Sequence, residues 1–110
     1  DIQNKLVSNS TPIGNYYNNL WKITNVNAKY STNWGMSFTS CPYQKNEIGN
    51  VLVTTGADEK FSLINIYDIA GNLWEWTLEF YDYTKPCVVR GTSYNIDGSY
   101  GPVNSRGLRY

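Results

Sequence analysis

Residues Tyr67 to Phe80 read Y-D-I-A-G-N-L-W-E-W-T-L-E-F, and this stretch decides the fold. Trp74 and Trp76 bracket Glu75, and Ala70-Gly71-Asn72 interrupts the chain just before them. After the interruption the chain alternates, with Leu73, Glu75, Thr77 and Glu79 on one side and Trp74, Trp76, Leu78 and Phe80 on the other. The aromatic content predicts a strand whose second set is the core face. Upstream, Phe61 to Tyr67 alternates too, with Phe61, Leu63, Asn65 and Tyr67 opposing Ser62, Ile64 and Ile66. That pattern predicts a second strand.

Outward from this centre the signals shorten. Val51 to Thr55 is β-branched and strand-like, and Gly56 to Lys60 is a polar turn. Val88-Val89-Arg90 predicts a short strand ending at Gly91. Leu20 to Val26 suits a short strand or a helical turn equally. Trp34-Gly35 marks a bend, and 41–50 reads as loop. Ile2, Leu6 and Val7 have helical spacing, as in the tail of a helix, while Pro12 and Gly14 make 8–19 a loop. Asn9-Ser10-Thr11 matches a glycosylation sequon, a tripeptide common by chance. From Thr92 to Tyr110 there is no apolar periodicity. Short strands among long loops predict one α+β domain over 1–110, expected to be a piece of a longer chain.

Composition narrows the function. Charged residues are only 16% of the 110, below the roughly 25% usual in soluble domains. Solubility then falls to Asn, Ser, Thr, Gly and the hydroxyls of 10 Tyr. Formal net charge is zero and no basic block exists, so no nucleic-acid partner is expected. No apolar run approaches the roughly 18 to 20 residues that span a bilayer, so no membrane insertion is expected. With no histidine, a Ser-His-Asp or Cys-His nucleophilic site, a His base and the usual zinc sites are excluded. Cys41 and Cys87 allow one disulfide arithmetically, but two partly buried free thiols are the plainer reading.

Asp68-Ile-Ala-Gly71-Asn-Leu73-Trp-Glu75-Trp76, followed by Val89-Arg90-Gly91-Thr92-Ser93-Tyr94, resembles the formylglycine-generating-enzyme-like (sulfatase-modifying-factor) family. Its members read close to D-x-x-G-N-V-W-E-W and then R-G-G-S-W or R-G-G-S-Y. The likeness covers 65–110, and loops at Gly14-Asn15-Tyr16-Tyr17 and Thr32-Asn33-Trp34-Gly35 echo some bacterial members. The resemblance implies a variant of the C-type lectin fold, with a G-F-R strand past Arg109 closing the sheet.

The family's copper-dependent oxidases carry two cysteines in the segment matching Pro102 to Arg109, which has none, and Cys87 precedes the R-G-G-S motif. Its sulfoxide-synthase relatives need histidine-bound iron. The resemblance therefore implies a non-catalytic member, with a formylglycine-generating-type oxidase or a degenerate relative as the alternative. In some members the positions of Asp68, Gly71, Leu73 and Glu75 wrap Ca²⁺, whose hard oxygen preference suits carboxylates and carbonyls. The competing reading is structural, with Glu75 accepting loop N–H groups or pairing with Arg90 or Arg109.

Other members of this fold are diversified by retroelements of phages and bacteria, which vary an exposed ligand face after the R-G-G-S motif. Tyr94, Asn95, Asp97, Ser99, Tyr100, Asn104 and Ser105 fall in that segment. Independently of any family, the composition is that of a paratope: Tyr gives rigid amphipathic area, and Ser, Gly and Asn give adaptable hydrogen bonds. A plain polar loop has the same residues for turn reasons. The expected partner is a cell-surface, protein or glycan ligand, met outside the cell or on a virion. A structural module contacting neighbouring chains of a larger assembly is the remaining alternative. Arg90 is expected to bridge loop carbonyls to a carboxylate, and the exposed aromatics Tyr16 and Tyr17 to extend the surface or pack under a loop.

Overall fold

A computed structural model describes residues 1–63 and 65–109, and it is α+β: 11% helical and 25% strand. Helix α1 (Ile2–Val7) is capped by Asp1, whose Oδ1 accepts from the Asn4 N–H at 2.7 Å. Short 3₁₀ turns occupy Thr11–Ile13 and Glu59–Phe61. The strands are β1 (Trp21–Lys22), β2 (Lys29–Ser31), β3 (Thr39–Ser40), β4 (Gln44–Lys45), β5 (Leu52–Val53), β6 (Ser62–Leu63), β7 (Ile66–Tyr67), β8 (Glu75–Trp76), β9 (Cys87–Arg90) and β10 (Arg106–Arg109). They pair antiparallel in four small sheets: β1-β4, β3-β2-β5, β6-β7 and β10-β9-β8. Among the described residues no helix is long and apolar enough to cross a membrane.

The core gathers on the N-terminal side. Trp21, 4% exposed, packs edge-on against Phe61 at 5.5 Å and Tyr43 at 5.9 Å, among Ile23, Ala28, Val51, Val53 and Ala57. Ile13, Tyr16 and Ala70 form a second cluster. Between the clusters lies a polar seam built from two Gly-Asn pairs. Asn72 Oδ1 accepts from the Val53 N–H at 3.1 Å and from Asn15 Nδ2 at 3.0 Å, while Asn72 Nδ2 donates to the Val53 carbonyl at 2.9 Å. Asn15 Nδ2 also reaches the Val51 carbonyl, and Asn15 Oδ1 accepts from Trp21 Nε1 at 3.1 Å. Each amide thus stands in for a missing strand partner along β5, which otherwise would leave buried backbone groups unpaired. Gly71 sits at φ +65, and a β-carbon there would collide with the Asn15 carbonyl. Only glycine allows so close an approach.

Several expectations are corrected here. The face of Trp74, Trp76, Leu78 and Phe80 is not the core: Trp76 is 67% exposed, Leu78 and Phe80 are exposed, and Trp74 is half-buried. Glu75 and Trp76 pair with β9 and the Thr77 N–H still bonds the Val88 carbonyl at 3.0 Å, after which the chain leaves the sheet and Leu78 stands fully exposed. The Phe61 to Tyr67 strand is instead a 3₁₀ turn followed by a tight hairpin, because Asn65 adopts φ +63, a left-handed conformation that Asn tolerates. Ile64 lies outside the described residues. Tyr16 is fully buried, and Tyr17 is exposed. Arg106–Arg109 forms a strand paired along its length with β9. Cys41 and Cys87 are free thiols, each partly buried.

Candidate functional site

The segment after Arg90 begins inside the molecule and works outward. Gly91 takes φ +89, and its carbonyl accepts from the Gly71 N–H at 2.7 Å. Thr92 is buried, its hydroxyl donating to the Gly101 carbonyl at 2.7 Å, which closes residues 92–101 into a loop. The loop is tied down by its backbone. Tyr94 N–H donates to the Asn72 carbonyl at 2.9 Å, and Tyr17 N–H to Ile96 O at 3.0 Å. Ser10 N–H donates to Gly98 O at 2.9 Å, and Gly98 N–H to Asn18 Oδ1 at 3.1 Å. A β-carbon on Gly98 would strike Thr11, so this glycine sets how closely the loop lies on the body. Beyond the loop, Val103 N–H bonds Ser10 Oγ at 2.8 Å and Asn104 N–H the Leu6 carbonyl at 3.0 Å.

Most of the side chains expected at the ligand face lie outward on this tied-down backbone. Asn95, Ser99, Tyr100 and Asn104 are exposed, with Tyr100 at 86%, and Asp97 and Ser105 are partly exposed. Asp97 Oδ1 accepts from the Ser99 hydroxyl and the Ser99 N–H, and these bonds hold its carboxyl below the usual range. Tyr94 departs from the expectation. It is 9% exposed and lies under the edge of the Trp34 ring, centroids 6.3 Å apart. Its place in a Tyr/Asn/Ser-rich stretch gave no sign of depth. Trp34, read from sequence as a bend, holds φ +55 and is exposed beside the loop. An aromatic next to Gly in a polar stretch was the available signal.

A second arrangement lies around β8. A cavity of about 490 Å³ is lined by Asp68, Glu75, Thr55, Ile66, Tyr67, Ile69, Thr77, Arg90, Gly91 and Val103. Asp68, at φ +55, is buried: its Oδ2 accepts from the Gly56 N–H at 2.8 Å, while Oδ1 has no partner among the described residues. Glu75 folds over Gly91, where a β-carbon would meet its carboxylate. Desolvation, with the nearby Asp68 charge adding to it, raises the Glu75 carboxyl to about 7. Arg90 does not pair with Glu75; it donates from Nε to Glu79 at 2.7 Å and from a terminal nitrogen to the Asn104 carbonyl. Arg106 joins the same Glu79 at 2.9 Å. Arg90 therefore bridges a carboxylate and a loop carbonyl. Gly71 is buried in the polar seam, and the Leu73 side chain is exposed. Among the described residues no group of three or more acidic, His or Cys side chains converges.

No family model, curated protein or solved structure matches the chain.

Proposed function

We propose that the chain is a non-catalytic binding domain, a C-type-lectin-like member of the formylglycine-generating-enzyme type. Its ligand face comprises Asn95, Asp97, Ser99, Tyr100, Asn104 and Ser105, extended by Trp34. The observation that carries this reading is the contrast within one segment: a backbone pinned to 6–18 by hydrogen bonds bears outward side chains of adaptable polarity. A face fixed in advance loses little freedom on binding, and an exposed Tyr and Trp supply the large anchors that interfaces favour. Tyr94 belongs to the support, as a prop under Trp34.

The ligand class is a cell-surface protein or glycan, and retroelement-driven variation of these positions would alter specificity without touching the pinned backbone. The test is binding of the fluorescently labelled chain to intact bacterial cells and to a glycan array. Tyr100→Ala is expected to reduce a measured affinity at least tenfold; wild-type binding by that variant contradicts the reading.

Calcium fits the Asp68–Glu75 cavity in part. The Asp68 Oδ1 and the Glu75 carboxyl are the hard oxygen donors such an ion takes, while Gly71 and Leu73 are not among the residues lining the cavity, so water would have to supply most of the six to eight ligands it needs. Bound there, the ion would neutralise two close carboxylates and brace the start of the pinned segment at Gly91.

A further inference from the structure

The exposed side chains of Trp76, Leu78, Phe80, Tyr81 and Tyr83 crowd into residues 76–83 as a ridge, and neither the pinned loop nor the cavity accounts for it. Strand β8 is an edge: β9 pairs with one side, and among the described residues nothing pairs with the other. Unpaired edges beside apolar side chains are ready to add a strand. The ridge is also ordered by its own contacts. Phe80 and Tyr83 meet edge-on at 5.4 Å, and the Arg106 guanidinium lies 5.4 Å over the Tyr81 ring.

We infer that this ridge is a self-association surface, joining two copies of the chain edge to edge across a two-fold axis. Two observations favour a second copy over another partner. The first is area. A large aromatic presents about 150–250 Å², so the five side chains at their exposures offer at most roughly 800 Å², the contribution of one partner to a standard interface. The second is charge. Glu79 within the ridge is already paired with Arg90 and Arg106, and Asp82 is held by Thr84 and Lys85 N–H groups. The ridge therefore offers an oppositely charged partner little to pair with. Two identical copies bring no unbalanced like charges together, and the chain's formal net charge is zero. Antiparallel pairing of one strand with its own copy is isologous, so the contact closes as a dimer.

Sedimentation equilibrium of the chain from about 10 to 200 μM tests this, against a monomer mass of 12.6 kDa. The expected result is a species of twice that mass, with the dissociation constant raised at least tenfold by Leu78→Lys. Leu78 is wholly exposed, so the charge should leave the fold intact; Tyr83→Lys provides a second, independent variant. A monomer throughout the range overturns the inference, as does a dimer indifferent to both substitutions. Cell binding through the tail face is read separately, so failure here leaves that reading standing.

Discussion

Asparagine does opposite work in two regions of this molecule. Asn15 and Asn72 are buried, and their amides replace strand partners along β5 and hold Trp21 Nε1. Asn95 and Asn104 are exposed on the tail face; the Asn95 side chain accepts from the Ser93 hydroxyl two residues back, and Asn104 is fixed through its backbone. The residue type is the same and the environment decides its role. A buried amide must satisfy its hydrogen bonds within the protein, so it is costly to replace. An exposed one trades with water, so it is free to vary and to bind. The two regions are joined where Tyr94 N–H bonds the Asn72 carbonyl and Gly71 N–H bonds Gly91.

The sharpest way to break this division is Asn72→Ala. It strands the Val53 N–H and carbonyl and the Asn15 amide inside the protein, at a cost of about 3 kcal/mol or more. Thermal denaturation should show a drop of at least about 12 °C, at roughly 4–8 °C per kcal/mol for a domain near this size. Gly71→Ala forces a side chain into a left-handed conformation and onto the Asn15 carbonyl. A loss of about 2 kcal/mol is expected there, read in the same melts. If either variant melts like the wild type, the polar seam is not the frame.

Two charges give pH effects of opposite sign, one on the exposed residue Glu75, whose carboxyl is partly desolvated, the other on buried Lys45. Burial raises Glu75 from 4.5 to about 7, so the folded state binds the extra proton and stability falls as pH rises across that window. Melting temperatures should decline from pH 5 to 7.5 and flatten in Glu75→Gln. Millimolar Ca²⁺ should offset the decline if the ion binds there, and identical melts in chelator and Ca²⁺ would remove the calcium proposal. Lys45 is the counterpart. Its Nζ donates to the Tyr16 carbonyl at 2.6 Å and to the Tyr17 carbonyl at 3.1 Å, near the Trp21 ring. Burial lowers it from 10.5 to about 8, so stability gains as pH rises from 8 towards 10.5. Lys45→Met should abolish that gain, as followed by chemical denaturation at each pH.

How far the sequence revealed all this follows from the range of each interaction. The helix at Ile2–Val7 and the strand Cys87–Arg90 were legible because spacing and β-branched residues act locally. The Trp74 to Phe80 pattern misled because alternation reports two faces without saying whether anything covers either one. Asn72 was visible only as a turn residue, since its partners lie 19 and 57 positions away. Strand Arg106–Arg109 has little pattern of its own, and its register comes from β9. In the tail, composition marked the segment but not its depth, so Tyr94 and Tyr100 looked alike while one is buried and the other exposed.

The claim that frame and face are separate is tested most directly by Tyr100→Ala, measured twice on the same protein. The account predicts a melting temperature within about 2 °C of wild type, because an exposed side chain costs little to remove, and at least a tenfold loss of affinity for the cells or glycan that the unmodified chain binds. A large fall in melting temperature, or unchanged affinity, would contradict it.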